Sequence, residues 1–133
     1  MPGLPPKKTA LSEPFWDGLA KSQIVMQSCD SCSRTIFYPR PSCPYCGSRE
    51  LTWKPRDDAI TLFTYSIAED PVSPVFAHVD RMIVAVADLD GAHIPSTLVD
   101  IAPEDVKIGM RLEPVFDSRS YEGITILRFR PGA

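Results

Sequence analysis

The stretch that decides the fold is Cys29-Asp-Ser-Cys32-Ser-Arg-Thr-Ile-Phe-Tyr-Pro-Arg-Pro-Ser-Cys43-Pro-Tyr-Cys46-Gly47. It holds two C-x2-C pairs separated by ten residues. A C-x2-C turn sets two sulfurs on one side of an ion, and zinc takes four ligands tetrahedrally with Zn–S near ~2.3 Å. The spacing predicts one Zn2+ held by Cys29, Cys32, Cys43 and Cys46, in a ribbon whose two pairs lie on successive hairpins. Gly47 supplies the backbone freedom that a metal knuckle needs, and Ser33 takes the corresponding place in the first pair. These are the only four cysteines of the chain, so no thiol is left over as a nucleophile. A closed four-thiolate sphere offers no position to water or substrate, which makes the metal structural rather than hydrolytic. The competing readings are a pair of redox C-x-x-C motifs and a rubredoxin-like iron site. Redox use calls for a thioredoxin-like βαβ setting, and the flanking sequence has none.

Upstream, Ser12-Glu-Pro-Phe-Trp-Asp-Gly-Leu-Ala-Lys21 reads as a short helix, with Ser12 as cap and Pro14 in the first turn. Phe15 with Leu19, and Trp16 with Ala20, are i,i+4 pairs. Gly18 weakens the helix, which is too short to hold alone in water and must dock on something. Neighbouring residues on a helix lie ~100° apart, so Phe15 and Trp16 cannot both face inward, and one is expected to meet another protein. Gln23 to Ser28 reads as a strand entering the first cysteine pair, and Leu51-Thr-Trp53 as one leaving the second. Lys54-Pro-Arg-Asp-Asp58 reads as a linker.

Downstream, five strand candidates follow: Ile60 to Ile67, Met82 to Leu89, His93 to Val99, Met110 to Phe116 and Ile124 to Phe129. In the first, Thr61, Phe63, Tyr65 and Ile67 would share a face. The second is apolar nearly throughout and belongs inside a sheet. Asp90-Gly91 is a hairpin turn signal, and Ala102-Pro-Glu-Asp-Val106 reads as one helical turn. Five short strands with a helical turn between the third and fourth match the OB-fold, a five-stranded Greek-key barrel. The fold class is mainly β: an N-terminal segment with a docking helix (1–22), a zinc ribbon (23–56) and an OB-fold (57–133). The 14 prolines among 133 residues suit short strands and many turns.

Net charge is −3, divided as +4 over residues 1–56 and −7 over 57–133. No apolar run approaches the ~20 residues of a membrane span, and no apolar core follows Lys7-Lys8 as a secretory signal requires. A cytoplasmic setting is expected, where paired thiols bind metal before they form disulfides. His78 and His93 are possible bases, but neither stands in a recognised catalytic arrangement. Asp57-Asp58, Asp88/Asp90 and Glu104-Asp105 read as turn and helix-start carboxylates. Arg34, Arg40, Arg49, Lys54 and Arg56, interleaved with Phe37, Tyr38, Tyr45 and Trp53, could mean single-stranded nucleic acid, but the acidic barrel half would repel a phosphate backbone. The loop Glu69 to Phe76 offers a second apolar edge.

Taken together, Phe15-Trp16-x-Gly18-Leu19, Cys29-x-x-Cys32, Tyr38-Pro39-Arg40, Cys43-x-x-Cys46, Trp53, Tyr65-Ser66, Val84-x-Val86-x-Asp88-Leu89-x-Gly91 and Ile108-Gly109-Met110 resemble the acyl-CoA-associated zinc-ribbon/OB-fold family, long known as a domain of unknown function. The resemblance runs from about Glu13 to Phe129. It implies a rubredoxin-like ribbon beside the OB-fold, and a non-catalytic partner of thiolase-superfamily enzymes in acyltransferase, thiolase or steroid side-chain aldolase complexes. The implied partner is a thiolase-like subunit, with Phe15, Trp16 and Leu19 expected at the contact and the basic residues Arg34, Arg40 and Arg56 near the CoA phosphates or an acidic partner surface. The family's Gly-rich lead into the first OB strand is replaced here by Arg56-Asp-Asp-Ala59.

Overall fold

The computed structural model describes residues 6–68 and 82–132. Helix α1 (Glu13–Ala20) leads into a three-stranded antiparallel sheet of β1 (Ile24–Cys29), β2 (Thr35–Ile36) and β3 (Leu51–Arg56), in the order β2-β1-β3. Five further strands close a barrel: β4 (Ile60–Ala68), β5 (Met82–Leu89), β6 (Ala92–Leu98), β7 (Arg111–Asp117) and β8 (Ile126–Pro131). Their order around the barrel is β4-β5-β6-β8-β7. The β4-β5-β6 meander is antiparallel, β6 meets β8 in parallel, and β7 returns to pair with both β8 and β4. That is the Greek-key closure of the OB-fold, with a 3₁₀ turn at Pro103–Asp105 between its third and fourth strands. No helix among the described residues is long and apolar enough to cross a membrane.

Pairing moves several expected boundaries. Strand β3 runs on to Arg56 because β1 pairs with it as far as Ile24↔Arg56. Pro55 is tolerated there since β3 is an edge strand, so the segment expected as linker shortens to 57–59. In β4 a bulge between Leu62 and Thr64 overturns the expected single face of Thr61, Phe63, Tyr65 and Ile67. Ile60 and Leu62 point into the barrel and Phe63 points out, and the extra residue then brings Tyr65 and Ile67 onto the core side. A two-residue period cannot survive an inserted residue. His78 and the loop 69–76 lie outside the described residues.

One apolar cluster joins the modules: Phe15, Leu19, Ile24 and Met26 pack in the same core as Leu62, Leu89, Ile94 and Phe129. The helix sits on β1 and β8, and its closeness to β1 explains Gly18. A Cβ there would lie 2.6 Å from Val25 Cγ2 and 3.1 Å from the Gln23 carbonyl oxygen. The Gly18 carbonyl also accepts from the backbone N–H groups of Lys21 and Gln23 at 2.9 and 2.8 Å, ending the helix. Gly18→Ala would gain about 1 kcal/mol of helix propensity, but the overlap with a β-branched side chain costs roughly 1–3 kcal/mol. The variant is therefore expected to melt at lower temperature than the wild type in circular dichroism; a higher melting temperature would contradict the close-packing account.

Candidate metal centre and the surfaces around it

Turns after β1 and before β3 bring the four sulfurs together, all within 4.8 Å of one another. Cys29 Sγ lies 3.6 Å from Cys46 Sγ, and Cys32 Sγ lies 3.7 Å from Cys43 Sγ. A tetrahedron with metal–sulfur bonds of about 2.3 Å has edges of about 3.8 Å, so the donors fit one ion. No other cluster of three or more potential ligands occurs among the described residues.

The two knuckles have the same backbone design. The Ser33 N–H donates to the Cys29 carbonyl and the Gly47 N–H to the Cys43 carbonyl, each at 2.9 Å. The Cys29 N–H donates to the Arg34 carbonyl and the Cys43 N–H to the Ser48 carbonyl, at 2.9 and 2.8 Å. Both closing residues are left-handed, Ser33 at φ 64° and Gly47 at φ 79°. The first knuckle thus builds the glycine's turn from a serine. Backbone N–H groups aim at sulfur as well, from Cys32 to Cys29 Sγ and from Tyr45 to Cys43 Sγ, both at 3.4 Å.

Without metal the four thiols share protons unequally. The Cys32 N–H in particular lowers the Cys29 thiol to about 7. The Ser48 N–H pulls Cys46 the same way, but the crowding sulfurs and desolvation prevail and push it up to about 12. An ion is what allows all four to be thiolates together.

Little else holds this end of the ribbon. Its buried cluster is Cys29, Ile36 and Cys43, with Cys32 and Leu51 packed alongside. Gln27, buried on β1, ties in the connecting loop: its Nε2 donates to the Arg40 carbonyl at 2.8 Å, and its Oε1 accepts from the Arg40 N–H at 2.7 Å. Arg34 lies over the Tyr45 ring, 4.5 Å from its centroid.

Arg56 does not face outward as an anion-binding residue would. Its Nε and Nη2 fork onto Asp58 at 2.7 and 3.0 Å, Nη2 also reaches Asp90 Oδ2 at 2.9 Å, and Nη1 donates to Thr35 Oγ1. Thr35 Oγ1 donates in turn to Asp90 Oδ2 at 2.8 Å. One guanidinium therefore locks β2 of the ribbon to the β5–β6 turn of the barrel. Asp58 and Asp90 are both held below the ordinary carboxylate range, chiefly by hydrogen bonds from Arg56. Asp58 and Asp90 read from sequence as turn carboxylates, because nothing local links either to Thr35.

Of the residues expected at a partner surface, Phe15 and Leu19 are 5% and 1% exposed, inside the chain's own core. Trp16 keeps a half-buried outer face, with its Nε1 donating to Ser12 Oγ at 3.2 Å. It forms one wall of a cleft of about 550 Å³ between the helix, the Phe37-Tyr38-Pro39 loop and the β6/β8 side of the barrel. Arg40 stays exposed. His93 stacks on Phe63, with ring centroids 4.0 Å apart, and lies 3.7 Å from Asp88. Because Ser33 occupies a left-handed turn that disfavours a Cβ, Ser33→Gly is expected to raise the metal-loaded melting temperature or leave it unchanged, and Gly47→Ala to lower it. The reverse order would show that the two knuckles differ.

Comparison with known proteins places these features in a family. Residues 16–52 match the family described as "ChsH2, rubredoxin-like zinc ribbon domain", and residues 53–117 match "ChsH2, C-terminal OB-fold domain". The "Probable enoyl-CoA hydratase alpha subunit" of Thermomonospora curvata is 35% identical over 100 residues, covering 72% of this chain but only 30% of that protein. A "DUF35 domain-containing scaffold protein" of Methanocaldococcus jannaschii is 33% identical over 101 residues, covering 70% of this chain and 67% of the relative. The solved structure "Ltp2-ChsH2(DUF35) aldolase" superposes with a TM-score of 0.81 at 25% identity, over 97% of this chain and 100% of that one. The chain belongs to the ChsH2/DUF35 family, in which a rubredoxin-like zinc ribbon is joined to a C-terminal OB-fold.

Proposed function

We propose that this chain is a non-catalytic scaffold subunit of a thiolase-superfamily complex that acts on acyl-CoA thioesters, with one structural Zn2+ on Cys29, Cys32, Cys43 and Cys46. The observation that carries the reading is the sulfur tetrahedron: it uses all four thiols of the chain and leaves no open coordination position. What the ribbon end then offers is shape. A relative named as an enoyl-CoA hydratase subunit, a relative named as a scaffold protein and a neighbour named as an aldolase complex all support a place beside acyl-CoA enzymes. The acyltransferase, thiolase and aldolase alternatives differ in the partner's chemistry and leave this chain's role the same. Trp16 is the part of the helix offered to the partner, with Phe15 and Leu19 holding it from beneath. Arg34 and Arg40, on the ribbon, are the residues placed to meet CoA phosphates. Arg56 serves this by fixing the ribbon's angle to the barrel.

Coexpression with a thiolase-like reading frame neighbouring the gene is expected to yield one hetero-oligomer on size exclusion, and the isolated chain is expected to be inert toward acyl-CoA substrates. Turnover of an acyl-CoA by the isolated chain would sink the scaffold reading. The rival is a single-stranded nucleic-acid module on the outer barrel face, where Phe63 stacks on His93. Asp88 beside that stack and the −7 balance of residues 57–133 disfavour a phosphate backbone. Tight, salt-sensitive gel shifts with short single strands would favour that rival instead.

Zinc uptake by the metal-free protein should release protons, because Cys46 is protonated at neutral pH and a bound thiol is deprotonated. Apparent zinc affinity should therefore fall as pH falls from 8 to about 6. Calorimetry in buffers of different ionisation enthalpy measures the release, and a pH-independent affinity would contradict the four-thiolate site.

A further inference from the structure

The cleft beside Trp16 is built from three separate parts of the chain: the N-terminal segment and helix, the loop between the cysteine pairs, and the β6/β8 side of the barrel. Its lining is mainly aromatic and aliphatic, with Trp16, Phe37, Tyr38, Ile94, Tyr121 and Ile126 prominent. Its volume falls within the roughly 300–1,000 Å³ of small-molecule sites, yet two features turn it away from a small ligand. Among the described residues one long side is open, since Tyr38 is 57% exposed and Pro95 at the opposite wall is exposed too. Three of the polar side chains in the wall are also already engaged. Ser12 Oγ accepts from Trp16 Nε1, Ser96 Oγ donates to the Leu127 carbonyl, and Arg128 is held by Asp117, Thr97 and Ser120. A small-molecule site needs a few convergent polar groups to orient its ligand, and these are not free to do so.

Charge narrows the occupant further. No Asp or Glu is among the described residues that line the cleft, in a chain whose barrel half carries −7. Lys7 stands in the wall with no ion-pair partner among the described residues, unlike Lys8, which pairs with Asp17 at 2.6 Å. Prolines Pro6, Pro39 and Pro95 stiffen the rim. A rigid, aromatic, open-sided groove with a cation that has no ion pair among the described residues suits an extended polypeptide read by its apolar side chains.

We infer that this cleft docks an extended apolar segment of a protein partner that carries a carboxylate beside Lys7. The inference rests on the scaffold reading only for which protein supplies the segment. The test is therefore made on the zinc-loaded full-length chain without any partner. Short random peptides are displayed and panned against it, with Tyr38→Ser and Lys7→Glu as comparison proteins; both residues are exposed, so the variants should fold, which zinc content and melting temperature check. Expected are peptides with an apolar run and an adjacent Asp or Glu, whose binding weakens about tenfold in Tyr38→Ser. In Lys7→Glu the same peptides should lose affinity and the salt dependence of their binding. Recovery of no peptides, or of peptides indifferent to both variants, would overturn the inference. So would decanoate binding that depends on Tyr38 while peptides do not bind. Copurification of a thiolase-like subunit unaffected by Tyr38→Ser would refute the groove as its docking site and leave the scaffold reading standing.

Discussion

The rest of the structure depends on four sulfurs closing on one ion. Away from the cysteines, the ribbon end buries Ile36 and part of Leu51 and little else, far less apolar surface than ordering about twenty residues requires. Hydrogen bonds between backbone and sulfur shape the two knuckles, but thiols crowded this closely cannot all ionise without a cation among them. Metal binding is thus part of folding here, and its consequences travel outward along β1, β2 and β3.

Arg56 carries that order into the barrel. Thr35 reaches it only because β2 pairs with β1 at Ser28↔Thr35, one residue before Cys29. The same guanidinium holds Asp58 at the start of the barrel and Asp90 at its first hairpin. Together with the shared core under α1, this makes ribbon, helix and barrel present one continuous surface. The cleft between them is a product of that assembly, since no single module forms it. Because the Phe37-Tyr38-Pro39 loop between the cysteine pairs forms one wall of that cleft, order at the four sulfurs bears on its shape.

The four-cysteine cluster was legible in the sequence because a C-x2-C spacing is a local geometric statement. The barrel was legible because the strands and the Pro103 turn arrive in chain order, and Asp90-Gly91 marks its hairpin. What stayed hidden depends on contacts between distant residues. Tyr65 and Ile67 would share Phe63's face in a clean alternating strand, and the bulge turns them onto the core. Gly18 reads as a weakness in a helix until Val25 is seen against it. Arg56 looks like one of several ribbon cations, and only the fold shows Thr35, Asp58 and Asp90 converging on it. Phe15 and Trp16 were rightly expected to face different ways, while Leu19 follows Phe15 into the core.

The central claim is that the metal shapes this chain for assembly and takes no part in a chemical step. The direct measurement is the acyl-CoA turnover rate per assembled complex, taken while a chelator progressively removes zinc and the assembled fraction is followed by light scattering. The account predicts that activity falls in proportion to the loss of complex, with the rate per remaining complex unchanged. A fall in rate while the complex stays intact would contradict it.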